Sequence, residues 1–292
     1  MSPGITAGTL PESIAGGQID VRVRVLGPIE AERGGKRLHV GGDKQQHVLG
    51  LLAATGERGA SAERLAVALY GEWASTRSVR TVHTYVSNLR SILGTVIRRD
   101  RGSYVLALEP QCLDSMVFES IVYEGRALAE HAPDRAFPKL EAALALWAGE
   151  PYGGLDGGDE LYAERARLEQ LRLMAIAAKI EAELVLGRHS ALVPELSFLT
   201  AMYPLREDFV YYLMLALEGS GLRCEALSAF QTCREVLREE IGAEPSRSLW
   251  LLEEQIRADG TATADLPALR SARRPKAGSS RSAPPDHVPL YP

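Results

Sequence analysis

The stretch from Arg77 to Tyr104 constrains this chain more than any other. In RSVRTVHTYVSNLRSIL, residues Val79, Val82, Val86, Leu89 and Leu93 recur three and four positions apart. That spacing stacks them on one face of a helix and requires the face to be buried. The opposite face carries Arg77, Arg80, Thr81, Thr84, Ser87, Asn88 and Ser91. Cationic and small polar side chains with few negative neighbours suit a DNA major groove, where Arg donates two hydrogen bonds to guanine while Ser, Thr and Asn reach base edges or phosphates. After Gly94 the residues become strand-like, and Arg98, Arg99 and Arg101 surround a Gly102-Ser103 turn. Three guanidiniums in one short hairpin match phosphates or a minor groove.

Charge distribution points the same way. The chain of 292 residues has a net charge of −5, and its length accommodates two domains with full cores. Residues 20–112 hold 14 Lys and Arg against 9 Asp and Glu, whereas residues 113–260 hold 14 against 26. A basic portion followed by an acidic one is the pattern of a nucleic-acid-binding module attached to a protein-binding or scaffold module. No apolar run approaches the roughly 20 residues of a membrane-spanning helix. The first residues, MSPGITAGTLPES, lack the basic start and apolar centre of a secretory signal. A cytoplasmic, nucleoid-associated protein without a membrane partner is expected. Cys112, Cys224 and Cys233 have no CxxC spacing and no nearby histidines, so buried free thiols are expected, with no disulfide framework and no metal site.

Taken in order, residues 1–19 are rich in Gly, Ser and Pro and read as a disordered leader. VRVRVL alternates with period two, Gly27-Pro28 breaks it, IEAER follows, and Gly34-Gly35 turns into KRLHV, the pattern of a small antiparallel sheet. Asp43 is placed to cap a helix through QQHVLGLLAAT and Ser61 to cap AERLAVALY, with stops at Gly56 and Gly71. The Arg77–Leu93 helix and a hairpin ending near Leu108 follow. Strands, three helices and a terminal hairpin are the order of a winged helix-turn-helix, in which the second helix of the pair enters the major groove. That helix is Arg77–Leu93. His83 on it either touches DNA or packs at the helix flank. Trp73 and Trp147 are expected as core anchors.

Beyond Glu109-Pro110 the pattern is helical throughout. Segments 114–130, 134–148, 159–187, 190–202, 206–219, 223–241 and 246–258 carry apolar stripes such as Phe137, Leu140, Leu144, Trp147 and Leu168, Leu171, Ala175, Ala178, Ala182, Val185. Gly187 and Gly221 stand 34 positions apart, the period of tetratricopeptide helix pairs. An array of helix hairpins is the natural architecture, with a plain helical bundle as the alternative. The expected fold is therefore an α+β winged helix-turn-helix over 20–112, then an all-α tetratricopeptide-like domain over 113–259. Residues 260–292 are dense in Pro, Ser and Ala and read as a disordered tail, in which Arg270, Arg273, Arg274, Lys276 and Arg281 offer a nonspecific attraction to DNA.

The runs RVRVLGPIEAERGGKRLHVGGDKQQHVLGLLA, ERLAVALYG and RTVHTYVSNLRSILG closely resemble the OmpR-like DNA-binding domain of the Streptomyces antibiotic regulatory protein family. ALALWAGEPYGGL, ARLEQLRLMAIAAKIEAELVLGRHSALVPEL, YPLREDFVYYLMLALEGSG and EALSAFQTCREVLREEIGAEPS resemble the bacterial transcriptional activation domain of that family. The resemblance runs from about residue 20 to 258. It implies an activator of secondary-metabolite gene clusters that binds direct repeats in promoter DNA, contacts RNA polymerase holoenzyme and pairs as a homodimer on DNA. The family's reading helix falls on Thr81, Tyr85, Val86, Ser87, Leu89 and Arg90, and its wing on Arg98 through Tyr104. Asn88 and Ser91 stand where relatives commonly carry arginine, and Lys44-Gln45-Gln46 stands in for a pattern richer in arginine. The resulting candidate DNA contacts are Arg77, Arg80, Thr81, Thr84, Ser87, Asn88, Arg90, Arg98, Arg99, Arg101 and Lys44.

Enzymatic function has no support in the sequence. The six histidines are scattered, GxSxG, HExxH and GxGxxG are absent, and PYGGLDGGDE lacks the Lys-Ser/Thr ending of a phosphate-binding loop. That segment reads as a helix connection, and no cofactor is expected. The alternative function is a helical sensor or adaptor that uses the winged helix for docking or repression.

Overall fold

The computed structural model describes residues 21–156 and 158–259. The expected leader (1–19) and tail (260–292), with the tail's arginines, lie outside the described residues. Two compact units divide between Arg188 and His189, within the span 113–259.

In the first unit, β1 (Val21–Arg24), β2 (Glu30–Arg33) and β3 (Lys36–Leu38) form an antiparallel sheet in that order. Val21 pairs with Arg33 and Ala31 with Leu38. The period-two alternation of β1 puts Val21 and Val23 in the core and leaves Arg22 and Arg24 half-buried. Helices α1 (Asp43–Thr55), α2 (Ala62–Tyr70) and α3 (Thr76–Leu93) follow, then the hairpin of β4 (Ile97–Asp100) and β5 (Ser103–Leu106). Ser61 caps α2 by accepting from Arg64 N at 3.2 Å. Asp43 does not cap α1: Gly42 holds the cap position without a side-chain bond, and Asp43 is the first helical residue. There its carboxylate still favours the positive end of the helix dipole.

Helices α4 (Asp114–Leu128), α5 (Pro133–Leu144) and α6 (Gly158–Val185) complete this unit. They share one apolar core with the winged helix, in which Val23, Leu49, Leu52, Val86 and Leu89 join Phe118, Leu140 and Leu168. Trp147 stands half-buried against that core, edge-on to Phe118 at 5.4 Å between centroids, as an anchor should. Of the α6 stripe, Leu168 through Ala182 are buried, whereas Val185 is exposed because the helix ends there and its last turn leaves the core.

The joint between sheet and helices is polar. Past β1, the chain at Val25 and Leu26 has no strand partner for its N–H groups, and the carboxylate of Asp114 takes both, at 2.8 and 3.1 Å. The segment after α5 supplies the opposite polarity: Ala148 N donates to Leu26 O at 2.7 Å, Tyr152 N to Val25 O at 2.6 Å, and Gly153 N to Gly27 O at 2.8 Å. The approach is close enough that a Cβ on Gly27 would meet that of Ala148 at 2.9 Å. PYGGLDGGDE thus connects α5 to α6, as expected, and also fastens to the sheet.

The second unit is helical: α7 (His189–Met202), α8 (Glu207–Gly219), α9 (Arg223–Ile241) and α10 (Arg247–Asp259). Short turns make neighbours of consecutive helices, giving stacked helix hairpins. Helix α8 is buried from Asp208 through Leu217 and forms the centre. Leu192, Leu196 and Leu199 of α7, Phe230 of α9 and Leu252 of α10 are buried with it. Among the described residues the cysteines form no disulfide; Cys112 and Cys233 are buried as expected, and Cys224, near the start of α9, is exposed. Among the described residues no helix is long and apolar enough to cross a membrane, and no cluster of metal-ligating side chains occurs.

Burial pushes the Asp114 carboxyl up from 3.8 to about 6, against the opposing pull of its backbone N–H partners at Leu26, Val25 and Ser115 and of Arg24. A raised folded-state pKa means that the folded chain holds the proton more tightly. The contribution is therefore complete below pH 3.8 and lost as pH rises through about 6. Urea unfolding of the wild type and of the non-titrating Asp114→Asn tests this. The stability difference between them should shift against the wild type by about 2–3 kcal/mol from pH 4 to pH 7; a difference that is flat across this window contradicts it. Asp114→Ala leaves two buried N–H groups without an acceptor and should cost about 2–4 kcal/mol at neutral pH.

Candidate nucleic-acid interface

Helix α3 begins with a reciprocal cap: Ser75 Oγ accepts from Ser78 N and Ser78 Oγ from Ser75 N, both at 3.3 Å. The expected inner face is buried at Val82, Val86, Leu89 and Leu93 and half-buried at Val79. On the outer face Arg77, Arg80, Thr84, Ser87, Asn88 and Ser91 are exposed, and Thr81 is half-buried. Thr81 Oγ1 donates to Arg77 O at 3.1 Å, Thr84 Oγ1 to Arg80 O at 3.3 Å, and Ser91 Oγ to Asn88 O at 2.7 Å. These hydroxyls spend their protons on the helix's own carbonyls and present lone pairs outward. They are thereby set to accept from base amino groups rather than to donate to phosphates. Asn88 Nδ2 leans towards Gln45 Oε1 of α1 at 3.5 Å, the limit of a hydrogen bond.

The wing is held to α3 by Tyr104. Its hydroxyl shares a 2.6 Å hydrogen bond with His83 Nδ1, and its buried ring lies under the guanidiniums of Arg90 and Arg99, at 5.4 and 5.9 Å. Its backbone exchanges hydrogen bonds with Ala60 at 2.8 and 2.9 Å, which fastens β5 to the segment before α2. Of the two roles open to His83, the structure has it at the helix flank, bonded to the wing. At the hairpin tip Arg101 (φ 46) and Gly102 (φ 90) both adopt left-handed backbone, the requirement of a two-residue turn between twisted strands. This projects Arg101 from the tip, with Arg98 and Arg99 exposed along β4.

The eleven candidate contacts fall into two groups. Arg77, Arg80, Arg98, Arg99 and Arg101 are exposed and form no ion pair among the described residues, and Thr81, Thr84, Ser87 and Asn88 share the α3 face with the first two. Lys44 and Arg90 are occupied internally. Lys44 Nζ donates to Leu69 O at 2.8 Å and stacks on Tyr70, closing the C-terminal end of α2. Arg90 Nε donates to Ile97 O at 3.0 Å and bridges the end of α3 to the wing. The helix pair is further tied by Tyr70 and Tyr85; burial and their hydrogen bond push the Tyr70 phenol up to about 12.

Trp73 corrects an expectation. It is 88% exposed rather than a core anchor. A single 3-10 turn, Gly71–Trp73, follows α2 and swings the chain outward before Ala74 and Ser75 re-enter as extended backbone. Sequence spacing places His83 on α3 and Tyr104 in the wing but does not pair them, because 21 positions separate the two and only the packing of the hairpin against α3 brings the hydroxyl to Nδ1.

Comparison with known proteins follows the same outline. Residues 113–257 match the family model "Bacterial transcriptional activator domain". Regulatory protein DnrI of Streptomyces peucetius is 34% identical over 253 residues, covering 82% of this chain and 93% of that protein. Regulatory protein AfsR of Streptomyces griseus is 36% identical over 245 residues, covering 82% of this chain and 25% of its own length. The solved structure of Mycobacterium tuberculosis EmbR, in complex with a low-affinity phosphopeptide, superposes with a TM-score of 0.77 at 29% identity, covering 82% of this chain and 65% of that one. The chain thus spans a quarter of AfsR and just under two thirds of the EmbR structure.

Tyr104→Phe deletes the hydroxyl bond to His83 but keeps the ring beneath the two arginines. It should cost about 1 kcal/mol in urea unfolding. Tyr104→Ala removes the ring as well and should cost about 3–5 kcal/mol. Equal effects of the two would show that the ring contributes nothing to holding the wing.

Proposed function

The chain belongs to the Streptomyces antibiotic regulatory protein family of transcriptional regulators, and from this premise we propose that it is a sequence-specific DNA-binding activator of a secondary-metabolite gene cluster. It acts in the cytoplasm, binds direct repeats in promoter DNA as a homodimer and recruits RNA polymerase holoenzyme. The observation that carries this reading is the set of five exposed arginines without an ion pair among the described residues, divided between the outer face of α3 and the wing. A cation left unneutralised by its own protein is available for counterion release on DNA.

Within that reading the side chains divide by role. Arg80, Thr81 and Thr84 read base edges from α3, with Ser87 and Asn88 beside them. Arg77, Arg98, Arg99 and Arg101 grip the backbone. Lys44 and Arg90 hold the helix pair and the wing in position from behind. Direct repeats about one helical turn apart present equivalent major grooves on one face of the DNA, so two subunits bind in tandem.

Binding to direct-repeat promoter DNA across a salt series tests the division. Arg80→Ala should cost about 1–3 kcal/mol on the preferred sequence and narrow the gap to scrambled DNA. Arg99→Ala should weaken all sequences alike and lower the slope of log affinity against log salt by about 1. Reversal of these two outcomes would reverse the assignment. Absence of any sequence-preferring complex at moderate salt would defeat the DNA-binding reading, and lowered transcription with purified polymerase would make the protein a repressor.

A further inference from the structure

Asn88 differs from its neighbours on the outer face of α3 in having a second element of the protein beside it. Thr81, Thr84 and Asn88 stand three and four positions apart and share one strip of the helix. The two threonine hydroxyls are turned back to carbonyls of α3, whereas Asn88 leans on α1, its Nδ2 3.5 Å from Gln45 Oε1. Gln45 is buried. A Cβ at Gly41, where φ is +89, would stand 2.7 Å from Gln45 Cδ and 2.9 Å from Oε1, so the missing side chain at Gly41 is what admits this carboxamide. Enclosed in that way, Gln45 is a fixed acceptor. Asn88 itself is exposed, and its Oδ1 and second amide hydrogen take no partner among the described residues.

We propose that Asn88 selects adenine at one base pair of each half-site and that Gln45 is the positioning residue that aims it. The two amide hydrogens of Asn88 lie on opposite sides of Nδ2, one beside Oδ1 and one turned back towards the helix. With the second given to Gln45, the outward edge consists of an acceptor, Oδ1, next to a donor. In the major groove adenine alone offers the complement on a single base, its N6 donor beside its N7 acceptor. Guanine presents two acceptors, cytosine one donor, and thymine one acceptor with a methyl group. A half-turn of the Asn88 amide would set Oδ1 against Gln45 Oε1, acceptor facing acceptor, so Gln45 also fixes which side carries the donor. An amide aimed before binding has no ordering cost left to meet when the base arrives.

The inference rests on the DNA-reading role proposed above for α3 and adds the identity of a base. Asn88 is uncharged and releases no counterion, so its part shows in sequence preference and not in salt dependence. That separates it from a phosphate contact, which would weaken every sequence alike.

The experiment selects bound duplexes from a randomised DNA pool with the full chain and its variants, then measures affinity for the selected site with each base pair changed in turn. At one base pair of each half-site the wild type should favour adenine by about 5- to 150-fold, the worth of one good bidentate contact. Asn88→Ala should lose that preference and keep the others, and Asn88→Arg should move it to guanine, whose two acceptors suit a guanidinium. Replacing the adenine with 7-deazaadenine, which lacks the N7 acceptor, should cost the wild type about five-fold and Asn88→Ala nothing. Gln45→Leu should narrow the adenine preference at least about three-fold at that base pair alone, with the salt slope unchanged. Gln45→Glu keeps an oxygen towards Asn88 and should hold the preference within about two-fold of wild type. Each readout is a ratio between sequences for one protein, so a loss of stability at buried Gln45 cancels, and the exposed Asn88 variants carry no such loss. Asn88→Ala weakening all sequences alike, an Asn88-dependent base other than adenine, or Gln45→Leu altering every base pair equally would each overturn the proposal. A wild type that enriches no sequence defeats the DNA-binding reading itself, whereas a selected site indifferent to Asn88 defeats this inference alone.

Discussion

The first unit depends on how a helical segment is joined to the open end of a β-strand. Past Arg24 the chain leaves its ladder with β2, and two buried N–H groups at Val25 and Leu26 need acceptors. The carboxylate of Asp114, at the start of α4, accepts from both, and Ala148 and Tyr152 donate to the carbonyls of the same two residues. A strand end that would otherwise be an unsatisfied edge becomes the seat for α4 through α6. The apolar core is continuous through that seat, from Val23 and Leu52 to Phe118 and Leu168. Helix α3 is thus supported by more than its own small domain.

That support determines what the surface can do. With Val82, Val86, Leu89 and Leu93 locked inward, the outer residues of α3 have no freedom to rotate about the helix axis. Tyr104 then sets the wing relative to the helix by bonding His83 and lying under Arg90 and Arg99. Two cationic surfaces held at fixed separation can meet a groove and its flanking phosphates together, and no ordering of the wing is then charged against binding. Lys44 and Arg90 contribute as braces whose charges are directed at carbonyls of the protein itself.

Much of this was legible in the residues. The three-and-four spacing of α3, the glycine stops at Gly56 and Gly71 and the stripes of the seven later helices each follow from local periodicity, and the elements stand within a few positions of where the pattern puts them. What stayed hidden depends on distant partners. Asp114 reads as an ordinary acidic residue near a helix start, and its acceptor role belongs to residues 89 and 88 positions away. Lys44 and Arg90 read as DNA contacts because any cation near that face does; only folding shows that Leu69 O and Ile97 O claim them. Trp73 reads as a core anchor, as large aromatics mostly are, while its exposure comes from the turn Gly71–Trp73.

The central claim is that the outer face of α3 and the wing, rather than the acidic helices, meet DNA. Photo-crosslinking of the full chain to direct-repeat promoter DNA tests it most directly, with a photoreactive side chain in place of Thr84 on α3 and, separately, in place of Gln231 on α9. The account predicts crosslinks from position 84 to bases inside each repeat and none from position 231. Crosslinks of equal yield from both positions, or from 231 alone, would contradict it.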